Sequence, residues 1–328
     1  MTGDSGRPGR SVRVGLVLSA GGTLGYAFHA GVLAAIAEAT GWEPRSAELI
    51  VGTSAGSLAA AVLRAGLGAR DLAARVLGDP MSPDGRILAA RLGPAARPPP
   101  RVQSPRRRGL ASTELLRRAL LHPGSVRLGA LAAAILPAGQ ISNEGVVTGI
   151  RRFFGDRWPE ASTWICAVSL EDGKRVLFGS PGAPSASLAD AVAASSAIPA
   201  FFEPVTIGGR RYVDGGAHSV TNVDAVASLG MDLVIVSSPM SGSLEALRRT
   251  LDLPVRAASA ARLAREAAAV RRNGTDVVVF QPSADDLRAM GLNLMDAARR
   301  RAVVRQAMAS TRRRLQEGLL TKLEAVRA

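Results

Sequence analysis

Leu49-Ile50-Val51-Gly52-Thr53-Ser54-Ala55-Gly56-Ser57-Leu58-Ala59-Ala60-Ala61-Val62-Leu63 reads as a strand, a sharp turn and a helix in immediate succession. The apolar run Leu49-Ile50-Val51 supplies the strand, and the Ala-rich run after Gly56 supplies the helix. Gly52-Thr53-Ser54-Ala55-Gly56 has the form G-x-S-x-G, with serine at the apex of the turn. Flanking glycines let the backbone take a turn that Cβ atoms would block. The serine is then pushed outward over a helix N-terminus, the arrangement of a nucleophile elbow. Alone, the pentapeptide also fits a simple strand–helix turn, so its company decides.

Upstream, Val12-Arg13-Val14-Gly15-Leu16-Val17-Leu18 reads as a buried strand. Ser19-Ala20-Gly21-Gly22-Thr23-Leu24-Gly25 follows it, and a helical run extends from Tyr26 to about Ala39. Two consecutive strand-turn-helix units imply parallel strands with crossover helices. The glycine loop has two readings. A dinucleotide loop would admit a pyrophosphate to the helix N-terminus. An oxyanion hole would aim backbone N–H groups at a developing alkoxide. Ala20 replaces the first glycine of G-x-G-x-x-G, and the second strand runs straight into Ser54 without an acidic residue. Both points weigh toward the oxyanion hole, with Gly21 and Gly22 as donors.

Downstream, Asp190-Ala191-Val192-Ala193-Ala194-Ser195-Ser196-Ala197-Ile198-Pro199 leads to Tyr212-Val213-Asp214-Gly215-Gly216. An aspartate ending a strand before two glycines is expected to sit on a tight turn with its carboxylate exposed. Ser54 needs a base, and the chain has three histidines. His29 on the first helix either lines the site or packs. His122 precedes Pro123 at a helix end and is expected to face solvent. His218 follows Asp214 too closely for the usual Ser…Asp…His order of hydrolases. The arrangement that remains is a dyad in which Asp214 takes the Ser54 proton. A carboxylate of ordinary pKa, roughly 3.9, is a weak base for serine, so the site should be partly desolvated.

Together these pieces resemble the patatin-like phospholipases: G-G-x-x-G after the first strand, G-T-S-A-G after the second, then A-S-S-A-I-P…Y-V-D-G-G. The resemblance covers about residues 12–240. It implies an α/β fold, a three-layer α/β/α sandwich around a mostly parallel sheet. It also implies hydrolysis of fatty-acyl esters of glycerolipids without metal or cofactor. Carried over, the nucleophile is Ser54, its partner is Asp214, and the oxyanion donors are the N–H groups of Gly21 and Gly22. Ala20, Gly25, Gly52, Thr53, Ala55, Gly56, Gly215 and Gly216 complete the matching motifs. The family loop commonly reads G-G-G-x-[K/R]-G. Here Ala20 takes the first position and Leu24 the basic one, removing a cation near the site.

Composition sets the outer bounds. The 328 residues suffice for one large α/β domain, with a sizeable core at 47% hydrophobic but only 4% aromatic. Residues 11–328 are expected to form a single acyl hydrolase domain after a disordered tail at 1–10. A Pro/Arg-rich loop is expected at about 79–110 and a helical region from about 254. The net charge is +14, and Lys174 and Lys322 are the only lysines. Such a balance favours anionic membrane surfaces, reached here through the Arg-rich loop and the last helix, 296–318. No aromatic-interleaved basic motif supports nucleic-acid binding. The single cysteine, Cys166, lies in an apolar strand-like run and excludes an intrachain disulfide. No apolar h-region or spanning helix is evident, so a cytoplasmic protein with peripheral membrane contact is expected. The leading function is a serine lipid acyl hydrolase. The alternatives are a general carboxylesterase and a non-catalytic lipid- or membrane-binding module on the same fold.

Overall fold

The computed structural model describes residues 12–93, 111–121, 127–137, 139, 141–247 and 253–319. Its first half runs β1 (Val14–Leu18), α1 (Gly22–Thr40), β2 (Leu49–Thr53), α2 (Ala55–Arg64), α3 (Ala69–Leu77), α4 (Pro83–Leu92), α5 (Thr113–Leu121), α6 (Leu128–Ile135) and α7 (Glu144–Phe154). Then come β3 (Thr163–Ser169), β4 (Arg175–Phe178), α8 (Leu188–Ser195), β5 (Val205–Ile207), β6 (Arg210–Asp214) and β7 (Leu233–Ser237). The chain continues through α9 (Leu244–Leu247), α10 (Leu253–Arg272), β8 (Asp276–Phe280), α11 (Ala284–Met290) and α12 (Arg300–Arg314).

The strands form one eight-stranded sheet whose hydrogen-bonded neighbours run β5-β6-β3-β2-β1-β7-β8, with β4 added to β3. β8, β7, β1, β2 and β3 pair in parallel; β4, β5 and β6 pair antiparallel. Successive side chains of a strand point to opposite faces, so each central strand feeds two cores. Leu16, Leu18, Ile50 and Ile235 pack with α1, α2 and α12 on one face. Val17, Val51, Val234 and Val236 pack with Leu263, Ala267 and Val270 of α10 on the other. This is the three-layer α/β/α sandwich that the family resemblance implied. The Val304, Met308, Thr311 and Leu315 stripe of the last helix turns inward, with Val304, Thr311 and Leu315 buried.

Register explains how two distant parts of the sequence meet. β2 pairs with Thr163–Cys166 of β3, ending with Thr53 opposite Cys166. β6 pairs antiparallel with Ala167–Ser169, ending with Asp214 opposite Ala167. β4 pairs along Ile165–Val168, overlapping both partners. A strand has two edges, so β4 occupies one, and β2 and β6 share the other end to end. Their C-termini therefore converge on adjacent residues of β3, bringing Ser54 to Asp214.

The segment expected as a loop at 79–110 is helical over Pro83–Leu92. Ser82 accepts from the Gly85 N–H at 3.0 Å, and Asp71 holds the Ser82 N–H at 2.7 Å and its hydroxyl at 2.6 Å. Ser-Pro at this junction is a helix start, with proline where its missing N–H costs nothing. Residues 94–110 with their arginines, the tail 1–10 and His122 lie outside the described residues. No helix among the described residues is long and apolar enough to cross a membrane.

Candidate active site

Ser54 sits between β2 and α2 with φ 53° and ψ −118°. Such a conformation in a non-glycine residue costs about 1–3 kcal/mol and must be imposed by its surroundings. The Ser54 N–H donates to the Ser195 Oγ at 2.9 Å. The Ser54 carbonyl accepts from the Ser57 hydroxyl at 2.6 Å and the Ser57 N–H at 2.9 Å. A Cβ on Gly56 would overlap the Leu18 carbonyl, so glycine lets α2 cross directly over β1. A Cβ on Gly52 would lie 2.6 Å from Ser57 Cα. The Thr53 hydroxyl accepts from the Asn222 side chain at 3.1 Å, tying the turn to the segment after β6.

Asp214 ends β6, and its N–H donates to the Ala197 carbonyl at 3.0 Å. Its carboxyl accepts a hydrogen bond from the Gly216 N–H at 2.7 Å, and the Ser54 side chain lies close enough to favour its charged form. A Cβ on Gly215 would collide with the Cys166 carbonyl, so the turn presses onto β3. The expectation of an exposed carboxylate is overturned: Asp214 is only 5% exposed. The turn carries the side chain inward because β6 ends against β3, with Ala197 and Gly215 closing around it. Burial pushes the carboxyl pKa up to about 6, against the opposing pull of the Ser54 side chain and the Gly216 N–H. Desolvation penalises the charged form, making the carboxylate a stronger base.

The segment after Asp214 is held from below by Glu266 of α10, a residue sequence reasoning passed over. Glu266 accepts from the Ser219 and Thr221 hydroxyls at 2.7 and 2.6 Å and from the Val223 N–H at 2.9 Å. Arg262 donates to it at 2.7 Å. Ser195, inside the Asp190–Pro199 stretch, anchors the Ser54 N–H. No local pattern marks Glu266, since i,i+4 Arg–Glu pairs are common on solvated helices.

The glycine loop differs from expectation in one respect: α1 starts at Gly22 rather than near Tyr26. The Ala20 N–H donates to the Val220 carbonyl at 2.8 Å, so the departure at this position removes no donor from the site. Gly21 is extended, and its Cβ would lie 2.5 Å from Pro239 Cγ. Gly22 has φ +61° and lines a cavity together with Ser54. The Gly25 N–H returns to the Gly21 carbonyl at 2.8 Å. Leu24 donates its N–H to the Leu294 carbonyl at 2.9 Å and is buried in the core. Among the described residues, the N–H groups of Gly21 and Gly22 meet no protein acceptor. They are orphan donors of a helix N-terminus, which favours negative charge.

Neither His29 nor His218 has a side-chain hydrogen bond to Ser54 or Asp214. His29 is buried, with Nδ1 2.8 Å from the Ser237 hydroxyl and Nε2 2.8 Å from the Ser19 carbonyl. A carbonyl only accepts, so Nε2 carries the proton, and Nδ1 accepts from Ser237. Burial lowers its pKa to about 4, and it packs rather than lining the cavity. His218 is also lowered to about 4, chiefly by burial and then by Arg175, with Asp224 opposing. Cys166 is fully buried, and burial pushes its thiol up to about 12.

The cavity is about 850 Å³, within the range of small-molecule sites. Ser54, Ala55 and Gly22 lie on its wall, and Leu58, Val62, Val76, Ile150, Ile198 and Phe202 make it apolar beside the serine.

The family model for patatin-like phospholipase matches residues 16–227, which contain both strand-end motifs and the glycine loop. The chain belongs to the patatin-like phospholipase family. Membership implies a lipid acyl hydrolase. No curated protein matches the chain. Among solved structures it is similar to VipD from Legionella pneumophila, at 15% identity and TM-score 0.43, covering 93% of this chain and 67% of that one. It is also similar to the type III effector protein ExoU, at 20% identity and TM-score 0.36, covering 92% of this chain and 53% of that one. The chain thus spans about two thirds of the first and half of the second.

Proposed function

We propose that the protein is a serine hydrolase that cleaves fatty-acyl esters of glycerolipids through a Ser54–Asp214 dyad. The observation that carries this reading is a strained serine beside a buried carboxyl whose pKa is raised to about 6, next to a largely apolar cavity. A base with a pKa near neutrality balances basicity against being ionised at working pH. The Ser54 Oγ attacks the ester carbonyl while Asp214 takes its proton. The carbonyl oxygen becomes an alkoxide facing the Gly21 and Gly22 N–H groups. Collapse breaks the ester bond, and the alcohol leaves with the proton held by Asp214. The acyl group stays on Ser54 until water attacks it. Asp214 takes the water proton, and the fatty acid departs as the serine is restored.

Ser54→Ala should lower turnover of a phospholipid or p-nitrophenyl ester by about 10⁴-fold or more. Retention of wild-type activity would sink the proposal. A fluorophosphonate probe separates the hydrolase from a non-catalytic lipid-binding module, because only an activated serine is labelled, and Ser54→Ala should lose that label.

A further inference from the structure

The cavity beside Ser54 has a second character. Its wall also carries Arg75 of α3, Arg152 of α7, and Arg300 and Arg301 of α12, and no carboxylate among the described residues lines it. Arg75 and Arg300 are half-buried, whereas Arg152 and Arg301 are exposed. Arg75 donates to the Gly93 carbonyl, and Arg300 donates to the Ala297 carbonyl at 3.0 Å. A guanidinium has five N–H donors, so most remain available. Both cations also act on one neighbour. The Tyr26 hydroxyl is raised by burial and pulled back by Arg75 and Arg300.

Sequence neighbours show the contrast. Arg151 pairs with Glu144 at 2.8 Å and Asp190 at 2.9 Å, while adjacent Arg152 has no ion-pair partner among the described residues. Arg299 pairs with Asp296 at 3.3 Å and Arg312 with Glu38 at 2.6 Å, whereas Arg300 and Arg301 have no ion-pair partner among the described residues. Four like charges from three helices converge on one half-enclosed space. That convergence is unfavourable until an anion enters, when each guanidinium can offer charge-assisted, fork-shaped hydrogen bonds.

We propose that these four arginines form a subsite for the phosphate of an anionic glycerolipid, whose acyl chain lies against the apolar wall by Ser54. The assignment of this lipid as substrate rests on the hydrolase reading above. A zwitterionic head group is disfavoured, because its ammonium would meet cations and no lining carboxylate. The subsite also supplies positive charge that Leu24 does not, and supplies it from distant helices.

The test uses Ser54→Ala protein, so that no ligand is consumed. Calorimetry compares lysophosphatidate with lysophosphatidylcholine of the same acyl chain, and with inorganic phosphate. Lysophosphatidate should bind at least tenfold tighter than lysophosphatidylcholine. Adding Arg75→Gln and Arg300→Gln should bring the two within about twofold. Arg75→Lys with Arg300→Lys should keep most of the preference, which shows that the cavity still folds. Arg312→Gln, paired outside the cavity, should leave it intact. Equal affinity for the two lipids, or a preference untouched by the double Gln variant, overturns the proposal. Inorganic phosphate binding as tightly as lysophosphatidate also overturns it, by making this a free-anion site. Failure of the hydrolase reading looks different: no ester is turned over by wild-type protein, while the calorimetric preference persists.

Discussion

The two halves of the proposed dyad are built by different means. Ser54 takes its turn chiefly from residues near it in sequence, with Ser195 as a long-range anchor for its N–H. Gly52 and Gly56 clear the turn, and Ser57 grips its carbonyl. Asp214 is positioned by residues distant in the chain: Ala197 holds its N–H, Cys166 lies against Gly215, and Glu266 braces the segment that follows. The proposed nucleophile sits in a turn made chiefly by its own strand and helix. The base exists only once the sheet has registered.

Breaking the local half should have the largest effect. Gly56→Ala sets a methyl group into the Leu18 carbonyl, and neither β1 nor α2 can retreat from the packed core. A loss above about 4 kcal/mol is expected, in the exceptional range for a point change. Soluble protein with wild-type melting would refute the elbow as a steric necessity.

Asp214→Asn separates function from stability. Turnover should fall by about 10³-fold or more, since an amide cannot accept the serine proton. Stability should move the other way. The folded carboxyl titrates near 6, above its ordinary 3.8. Its stabilising neutral form is fully present below 3.8 and is lost as pH rises through 6, so the carboxylate weakens the fold at pH 7.5. The cost is at most roughly 3 kcal/mol. Asp214→Asn should therefore melt higher than wild type at pH 7.5, with the gap closing toward pH 4. Wild-type kcat/KM should drop as pH falls below about 6. A variant that melts lower at pH 7.5 and matches at pH 4 would reverse the assigned direction.

Glu266→Ala tests the distant bracing. It leaves the Ser219, Thr221 and Val223 donors without their buried acceptor, at a cost of about 3 kcal/mol. If Glu266 positions the base, kcat should fall about tenfold in protein that is still folded, with KM changed little. A change in melting alone would confine Glu266 to structure. The smallest effect belongs to His218→Ala, with activity within about twofold in the same ester assay. A large loss there would replace the dyad by a triad.

Much of this was legible in the sequence because it follows from short-range sterics. The strand–glycine–serine–helix order dictates the elbow, and two such units in succession dictate parallel strands. The seryl and aspartyl motifs could be singled out because each has its own glycines. Other features were not legible. Ser82-Pro83-Asp84-Gly85 carries turn residues, yet Asp71 from the preceding helix turns it into a helix start. Leu24 looks like a lost cation, yet it is buried in the core, and arginines from α3, α7 and α12 line the cavity beside Ser54. The exposed carboxylate expected at Asp214 became a buried one, because exposure depends on what packs over a turn.

By itself, then, the sequence determined most of the elements and singled out the side chains proposed to react, since backbone strain and hydrophobic periodicity act over a few residues. Tertiary structure alone decided their relationship. β2 and β6 share one edge of β3, so their ends meet at Cys166 and Ala167. The pKa of Asp214 and the charge of the cavity are properties of that enclosure, set by the groups that fold around the site and by the water they exclude.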